Sequence, residues 1–304
     1  MTKAKLILNP QANHGRGYEV AGDLRHLADD LGGAEWAGTD YPGHAVQLAR
    51  EAALAGFDPV VAVGGDGTLH EVVNGLMLVD PARRPRLGVV PLGSGNDFVS
   101  GAGLEMRPLA ALQRILTGAA ERRVDVGSIK DESGRTEYWD NSVGIGFDAA
   151  VNLQSRRITR IHGFMMYLLS VIKVIIENYD APRMEVELDG TSFTQELLMF
   201  TVGNGPREGG GFITTPEAKV DDGQLDYAYI HRVSRLMMIR LIPEVMNGRH
   251  GRFKPVRIGR LHKVRICADR PLPVHTDGEM FASYEANVRC VEIGILPGAL
   301  RLVT

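Results

Sequence analysis

Short apolar runs alternate with amphipathic segments along the first 125 residues of the chain. Continuous apolar runs predict buried strands, and apolar residues that recur every three to four positions predict helices. The predicted strands are 5–9, 34–39, 59–63 and 86–92, and the predicted helices end near residue 31 or cover 44–56, 68–78 and 108–118. This alternation predicts a Rossmann-like α/β domain, in which helices cover a parallel sheet.

The pattern changes after about residue 124. Strand-like segments follow one another, separated by glycine and proline, and fewer helices lie between them. The strand-like segments include 184–190, 196–204, 223–230 and 263–268, and two helical stretches cover roughly 160–178 and 233–247. We therefore predict a first domain over 1–124 and a second, mainly antiparallel β domain over 125–286.

The composition of the 304 residues, 44% hydrophobic and 23% charged, is typical of a soluble globular protein. The most apolar stretch, 164–176, contains Lys173 and is too short for a membrane span, so it is either a core helix or an interfacial helix. The amino terminus lacks the pattern of a signal peptide. Two cysteines, Cys267 and Cys290, argue against a disulfide scaffold and for a reducing compartment, so we expect a cytoplasmic protein.

The net charge is −3, but basic residues cluster between His231 and Arg265, where ten Lys and Arg residues accompany one acid, Glu244. Such asymmetry indicates either an anionic partner or a solvated face that acids folded nearby would balance. The sequence leaves both explanations open.

The stretch Gly64–Gly67 lies between a buried strand and a helix, in the sequence VVAVGGDGTLHEVV. Open α/β sheets bind ligands at such turns, where exposed N–H groups and the helix dipole attract phosphate. Asp66 fits there if Mg²⁺ lies between it and the phosphates; otherwise it would bond its own backbone in a tight turn. Thr68 and Glu71 have the spacing of a capping box, although Glu71 could also reach a ribose.

Two further loops follow predicted strands in the same way. Residues 91–98, PLGSGNDF, can present to a polyphosphate the backbone N–H groups and a hydroxyl of Gly93, Ser94, Gly95 and Asn96. Residues 9–17, NPQANHGRG, follow the first strand. If the strands are neighbours, these loops open at one edge of the sheet. The P-loop, protein-kinase and dinucleotide-binding motifs are absent.

Asp277 and Glu279 flank a glycine in the sequence HTDGEMF. Two close carboxylates can place a metal ion, or one of them can accept the proton of an attacking hydroxyl. Transfer of a γ-phosphoryl group depends mostly on positioning and charge neutralisation, so one carboxylate base and one Mg²⁺ would suffice. A hairpin turn with solvated acids is the simpler interpretation of this stretch alone.

Together, Asn9-Pro10, Gly64–Thr68, Pro91–Asp97 and Asp277–Glu279 resemble, in this order, the motifs of the bacterial diacylglycerol kinase-like lipid kinases, relatives of sphingosine and ceramide kinases. Gly-Gly-Asp-Gly alone also occurs in NAD kinases and phosphofructokinases, but the combination is specific to the lipid kinase group. The resemblance covers essentially the whole chain. It implies a nucleotide-binding α/β domain, a carboxyl-terminal β-sandwich and an active site in the cleft, with 287–304 able to return to the first domain.

The resemblance also implies functional residues. Asp277, Glu279 and Asp66 would be catalytic, with Glu279 narrowly favoured as the base. A structural Mg²⁺ would bind the Asp222 carboxylate and the backbone carbonyls of Lys219 and Gln224. The residues that would contact ATP are Asn9, Pro10, Asn13, Thr39, Gly64, Gly65, Asp66, Gly67, Thr68, Glu71, Gly93, Ser94 and Asn96. His70 departs from the asparagine that many members have at this position.

We therefore expect an ATP- and Mg²⁺-dependent lipid kinase that phosphorylates diacylglycerol, phosphatidylglycerol or a sphingoid-type lipid. It would reach this substrate as a peripheral protein at an anionic membrane surface, with Arg249, Arg252 and Arg257 contributing to the attraction. A kinase of a soluble substrate such as NAD and a catalytically silent lipid-binding protein are the alternatives. No nucleic-acid partner is expected, and edge strands in the second domain would allow a homodimer.

Overall fold

The computed structural model describes residues 3–13, 15–118, 120–158, 163–177 and 180–304. The chain divides into two compact units, Met1–Val126 with Pro297–Thr304, and Gly127–Leu296. One boundary lies within strand β5 (Glu121–Asp131) and the other within strand β15 (Cys290–Val303). The carboxyl-terminal segment that belongs to the first unit therefore starts at Pro297, later than the 287 suggested by the resemblance.

Parallel strands form the sheet of the first unit. They are β1 (Lys5–Leu8), β2 (Glu35–Gly38), β3 (Val60–Gly64) and β4 (Arg86–Pro91). Their order is β2–β1–β3–β4, and the end of β15 adds a parallel neighbour to β4, since Arg301 lies opposite Arg86. All residues of β3 are buried, as expected for a strand covered on both faces.

Helices accompany this sheet, as the alternating pattern predicted. They are α1 (Arg16–Asp30), α2 (His44–Leu54), α3 (Asp66–Met77), α4 (Asp97–Gly101) and α5 (Pro108–Leu116). Leu24 of α1 and Leu112 of α5 are fully buried against Leu6, Val61 and Val90 of the strands. The α/β class predicted for this unit is confirmed.

Helix α3 begins two residues before the predicted capping box. It starts at Asp66, and Gly65 is its N-cap residue. The Glu71 carboxylate instead accepts hydrogen bonds from the backbone N–H groups of Gly43 (2.7 Å) and Ala45 (3.0 Å), at the start of α2. The predicted capping box is therefore wrong, because Glu71 caps the neighbouring helix, where its charge also suits the helix dipole.

Antiparallel strands build the second unit. Those that lie wholly within it are β6 (Thr136–Trp139), β7 (Ser142–Gly146), β8 (Arg183–Leu188), β9 (Thr191–Gly203), β10 (Leu225–His231), β11 (Val256–Leu261), β12 (Lys263–Ala268), β13 (Val274–Thr276) and β14 (Glu279–Ala282). The pairing runs β14–β13–β7–β9, and β9 pairs further with both β8 and β10. Trp139, Phe200, Val264 and Phe281 belong to the core of this sandwich, which confirms the predicted fold class.

The α-helices among the described residues of the second unit are α6 (Phe147–Ser155), α7 (Gly163–Glu177) and α8 (Arg235–Met246). They share an apolar cluster with the sheet residues Leu198 and Ile230. The ends of the predicted helix 160–178 include residues 160–162 and 178, which lie outside the described residues.

Helix α7 corresponds to the most apolar stretch of the sequence, and it has two different faces. Val171, Val174 and Ile175 are buried, whereas Ile172 and Ile176 are 41% and 65% exposed. The helix is therefore a core element on one face only. Among the described residues, none of the helices is both long and apolar enough to cross a lipid bilayer.

The two cysteines are paired. Cys267 of β12 and Cys290 of β15 lie directly opposite each other in the antiparallel register, and a disulfide joins them. The disulfide therefore removes the support that the two cysteines gave to a reducing compartment. The pairing depends on strand register, which the local sequence around each cysteine does not encode.

Candidate active site

The carboxyl ends of β1, β3 and β4 meet at one edge of the first sheet, because the three strands are parallel neighbours. The loops that begin at Asn9, Gly65 and Leu92 therefore lie along that edge, with Gly64 as the last residue of β3. Thr39 follows β2, the next strand in the sheet, and is half-buried. The predicted ATP-contacting loops thus share the edge at which open α/β sheets bind ligands.

Gly65 and Gly93 bring two of these loops into close contact. A Cβ atom at Gly65 would lie 2.9 Å from the Gly93 Cα, and a Cβ at Gly93 would lie 2.5 Å from the Gly65 Cα. A side chain at either position would require the backbone to move. These glycines therefore serve the packing of the loops, and their contact with phosphate stays a prediction.

Asp66 joins the two glycine loops. Its Oδ2 accepts a hydrogen bond from the Asn96 N–H (2.8 Å), and its Oδ1 accepts one from the Asp97 N–H (2.7 Å). Burial and the neighbouring Asp97 carboxylate raise the pKa of Asp66 to about 6, although the backbone N–H groups oppose the shift. The acid therefore organises the second loop, and its environment favours a cation or a proton nearby.

Two asparagine side chains also hold the loops in place. Asn96, which has a left-handed φ of 51°, accepts from the Gly93 N–H (2.9 Å) and donates to the Gly93 carbonyl (2.8 Å). Asn9 donates through Nδ2 to the Thr68 hydroxyl (3.1 Å) and accepts from the Gln11 N–H (2.9 Å). Both residues act on loop geometry, so any contact of Asn9 or Asn96 with ATP stays a prediction.

The other residues predicted to contact ATP lie on or beside these loops. Ser94 is exposed, and Asn13 is half-buried with a left-handed φ of 48°. Pro10 lies in the loop after β1, and Gly67 lies in the first turn of α3. His70 is buried in α3, where its Nε2 lies 3.3 Å from the Asn74 side-chain nitrogen, so the departure from asparagine is accommodated within the helix packing.

Asp277 is a buried acid in the turn between β13 and β14 of the second unit. Its carboxylate accepts three backbone hydrogen bonds, from the N–H groups of Asp140 (3.0 Å), Asn141 (2.9 Å) and Ser142 (2.9 Å). A carboxylate engaged in this way fixes the start of β7, and its oxygens are occupied by backbone donors.

Glu279 lies in the same turn but is accessible. Half of its side chain, 50%, is exposed, and its Oε2 accepts a hydrogen bond from Arg156 Nη2 at 2.7 Å. The geometry thus distinguishes the two predicted carboxylates, because Asp277 is held and Glu279 is open to a substrate. It favours Glu279 as the base, which stays a prediction.

A buried polar cluster behind this turn was missed by sequence analysis. Asp148 Oδ2, in the first turn of α6, lies 3.4 Å from His275 Nε2 and accepts from the Thr201 hydroxyl at 3.1 Å. Burial opposes ionisation of Asp148, but His275 and hydrogen bonds with Glu208 and Thr201 hold the pKa of Asp148 below its usual value. A Cβ at Gly144 would overlap both Asp148 and His275, so glycine is needed there.

The loop before β10 contains the residues predicted to bind Mg²⁺. The half-buried Asp222 accepts a hydrogen bond from the Gln224 N–H (3.1 Å), and Lys219 is exposed. Burial raises the pKa of the adjacent Asp226 to about 6 against the attraction of Arg260, and Asp222 adds to the shift. Oxygen donors in an acidic loop suit Mg²⁺, so the donor chemistry fits the predicted ion.

An apolar cavity of about 70 Å³ lies among α6, α7, α8 and the sheet of the second unit. One water molecule needs about 10–15 Å³, so the cavity has room for several methylene-sized groups. Two acids of the polar cluster, Asp148 and Glu208, contribute to its wall. The apolar wall includes Val151, Val171, Ile175, Leu198, Phe212 and Leu241.

Glycine loops suited to phosphate in an α/β unit, followed by a β-sandwich with an accessible carboxylate and an apolar cavity, define a two-domain kinase of the lipid kinase class. Comparison with protein families agrees with this class. Residues 3–129 match the diacylglycerol kinase catalytic domain, and residues 141–304 match the YegS C-terminal NAD kinase beta sandwich-like domain. The chain belongs to this diacylglycerol kinase-like family, and the resemblance found in the sequence is confirmed.

Relatives match along nearly their full length. The "Probable lipid kinase YegS-like" of Chromohalobacter salexigens is 35% identical over 93% of this chain and 87% of its own. The diacylglycerol kinase of Bacillus subtilis is 30% identical over 92% of this chain and 90% of its own. A crystal structure of a diacylglycerol kinase from Bacillus anthracis superposes with a TM-score of 0.73 at 22% identity, over 99% of this chain and 96% of that one, which supports the fold.

Proposed function

We propose that the protein is an ATP- and Mg²⁺-dependent kinase that phosphorylates the hydroxyl of a lipid such as diacylglycerol, phosphatidylglycerol or a sphingoid-type lipid. The observation that carries this proposal is the apolar cavity of the second unit. An alkyl chain can fill such a cavity, whereas a soluble substrate such as NAD offers no comparable apolar group. The names of the relatives, diacylglycerol kinase and lipid kinase, support the same class of substrate.

The loops of the first unit fit the nucleotide. When bound, ATP supplies the phosphoryl group, and Mg²⁺ neutralises the charge on its phosphates. Gly65 and Gly93 keep the backbone free of side chains, and the raised pKa of Asp66 supports a cation close to these loops. Thr39 and Ser94 would orient the nucleotide, and Asp222 with the carbonyls of Lys219 and Gln224 would hold the structural ion.

Glu279 would accept the proton of the lipid hydroxyl as that oxygen attacks phosphorus. Its exposure and its contact with Arg156 support this role, since the arginine keeps the carboxylate oriented while the substrate approaches. Asp277 would act indirectly, because three backbone N–H groups already use its oxygens. Asp277 would therefore shape the turn, and Glu279 would accept the proton.

The test is incubation of the protein with γ-labelled ATP, Mg²⁺ and dispersed bacterial lipid, followed by separation into organic and aqueous phases. We expect label in the organic phase and at least a hundredfold loss of rate for Glu279→Gln. The matched control is Glu285→Gln, since Glu285 is an exposed acid in the same unit. Label only in the aqueous phase, on added NAD, would identify a soluble substrate; lipid binding without turnover would identify a silent lipid-binding protein.

A second pair of variants tests the cavity itself. Val171→Phe would fill space beside the buried face of α7, so we expect a lower kcat/KM for long-chain lipid and an unchanged KM for ATP. Ile172→Phe makes the same kind of change on the exposed face of the same helix and serves as the control. Equal kinetics for the two variants would contradict a lipid chain in this cavity.

The basic run 231–265 bears on the proposed work at an anionic membrane surface. Acids folded nearby pair with half of its ten basic residues, which reduces the attraction that the raw count implies. The pairs are Arg232–Glu196, Arg249–Glu244, Arg252–Glu244, Arg260–Glu217 with Asp226, and Lys263–Glu292. Membrane attraction would therefore depend on residues such as Arg257, which donates to backbone carbonyls.

A further inference from the structure

The peptide of Gly278 is held from both sides. Its carbonyl accepts hydrogen bonds from Asn152 Nδ2 (2.7 Å) and Arg156 Nη2 (3.1 Å), and its N–H lies 3.4 Å from His275 Nδ1. Asp277 and Gly278 both have left-handed φ values, 50° and 81°, which is the geometry of a tight two-residue hairpin turn. An Asp-Gly pair forms such a turn without help, so the additional contacts fix its position relative to α6.

Two polar residues of α6 and Arg156, the C-cap residue of this helix, reach the hairpin in order. Asp148, Asn152 and Arg156 are spaced four residues apart, which places them on one face of the helix. Asp148 contacts His275, Asn152 bonds Gly278, and Arg156 bonds both Gly278 and the carboxylate of Glu279. This row of side chains therefore contacts the hairpin at three successive places, which are His275 in β13, the Gly278 peptide in the turn and the proposed base Glu279 in β14.

Most of the side chains that contact the hairpin are buried, whereas polar side chains beside a turn are usually exposed to solvent. Asp148 is 5%, Asn152 4% and His275 1% exposed. Burying polar side chains is costly unless they find polar partners, and here Asp148 has the Thr201 hydroxyl and His275 beside it, while Asn152 has the Gly278 carbonyl. The space for this arrangement exists because Gly144 has no side chain.

We infer that Asp148, Asn152 and Arg156 form a positioning clamp for Glu279. The clamp sets the direction of the Glu279 carboxylate through the Gly278 peptide and through Arg156. This inference rests on the proposed function, because it assigns a role to α6 in the reaction of Glu279. An error in placement of about 1 Å can cost a hundredfold in rate, which is the scale on which such a clamp matters.

The decisive variant is Arg156→Ala, since Arg156 is exposed and its loss leaves the core intact. We expect kcat for lipid phosphorylation to fall at least tenfold, with the KM for ATP within twofold of wild type. Addition of millimolar guanidinium should restore part of kcat, and Arg156→Lys should retain more activity than Arg156→Ala. Arg157→Ala removes the same charge from the next, exposed position and should behave as wild type.

A measurement that does not depend on activity accompanies the kinetics. Hydrogen exchange of the peptide covering 274–282 should accelerate at least tenfold in Asn152→Ala and Arg156→Ala and remain unchanged in Arg157→Ala. Wild-type kcat in Arg156→Ala, or a loss that guanidinium and lysine do not restore, would overturn the clamp. If the wild-type protein phosphorylates no lipid, the proposed function and the catalytic role of the clamp both fail, and the exchange data separately decide whether α6 holds the hairpin.

Discussion

The Gly64–Gly67 turn of the first unit and the Asp277–Glu279 turn of the second unit both place an aspartate beside glycine at the end of a strand. In both, the aspartate binds backbone N–H groups of a neighbouring segment. Asp66 holds two of them in the second glycine loop, and Asp277 holds three at the start of β7. The second turn differs because it also carries Glu279, an accessible acid paired with Arg156.

The comparison teaches that a motif aspartate can be essential without being the group that exchanges a proton. A carboxylate has several acceptor positions, so it can organise a loop made of backbone N–H groups better than any neutral side chain. In the first unit this organisation shapes the loops predicted to hold phosphate. In the second unit it leaves the neighbouring glutamate accessible for the reaction.

The largest effect should come from Asp277→Ala. Removing the carboxylate leaves three buried N–H groups without their acceptor, so we expect the free energy of unfolding to fall by about 3 kcal/mol or more. Glu279→Ala removes only an exposed ion pair and should cost about 1 kcal/mol or less, although we expect it to abolish activity. Urea unfolding followed by circular dichroism measures both values. Equal stability of the two variants would break the distinction between a structural and a reactive carboxylate.

The free energy of unfolding should depend on pH through Asp66. Its pKa in the folded protein, about 6, lies above the ordinary value of 3.8, so folding disfavours the charged form. Protonated Asp66 therefore contributes to the free energy of unfolding below pH 3.8. This contribution, about 3 kcal/mol at most, is lost as the pH rises through about 6.

This dependence is isolated by comparing wild type with Asp66→Asn from pH 4 to pH 7. The stability of wild type relative to the variant should decline with rising pH, because only wild type has a carboxyl group that must ionise at this position. The variant also loses one hydrogen-bond acceptor, which shifts its free energy of unfolding equally at every pH. The raised pKa is therefore tested by how the difference between wild type and variant changes with pH, and not by its size at one pH. A difference that is constant with pH would contradict the raised pKa.

A smaller loss is expected where the two loops touch. Gly93→Ala introduces a Cβ 2.5 Å from the Gly65 Cα, so the loops must separate, and we expect a loss of about 1–3 kcal/mol in stability together with weaker ATP binding. Gly22→Ala is the matched control, since Gly22 lies within α1 with open space around its Cα and should gain about 0.5–1 kcal/mol. Thermal unfolding and nucleotide titration of both variants test this, and unchanged ATP affinity in Gly93→Ala would contradict the role given to the loop contact.

The sheet of the first unit was predictable because its buried strands are continuous apolar runs in the sequence. The loops at its edge were predictable for a different reason, since glycines such as Gly65 and Gly93 mark places where a backbone approaches another backbone or a ligand closely. These signals are local, and the structure reproduces them within a few residues. The spacing of Thr68 and Glu71 was also local, but it misled, because Glu71 meets the amino end of α2 instead.

Contacts between distant segments were beyond the sequence. The pairing of Cys267 with Cys290 depends on the register of β12 and β15, and the contact of Asp148 with His275 depends on the packing of α6 against β13. One signal could have found the clamp, namely the four-residue spacing of the polar residues 148, 152 and 156, of which the last is the C-cap of α6. The partners of these residues would still have required the fold.

Charge also distinguishes the two units, because the basic run 231–265 lies wholly in the second. Changing its charges should have the smallest expected effect, which is on binding to anionic vesicles. Reversing Arg249, Arg252 and Arg257 to glutamate should weaken binding to vesicles of anionic lipid, and Arg257 should account for most of the loss. Arg249 and Arg252 already pair with the carboxylate of Glu244. Arg257 instead donates to the backbone carbonyls of Lys254 and Val256, and these neutral groups do not cancel its positive charge.

At about 1 kcal/mol for each basic residue near the surface, Arg257→Glu alone should lower vesicle affinity by about fivefold or more at low salt. The difference should shrink at high salt, because ions screen the attraction, and it should vanish on vesicles of neutral phosphatidylcholine. Sedimentation of the protein with vesicles of each composition gives the affinities. If Arg257→Glu binds anionic vesicles as wild type does while Arg249→Glu does not, the carboxylate pairing fails to predict which charges face the membrane, and the paired residues must exchange Glu244 for lipid on binding.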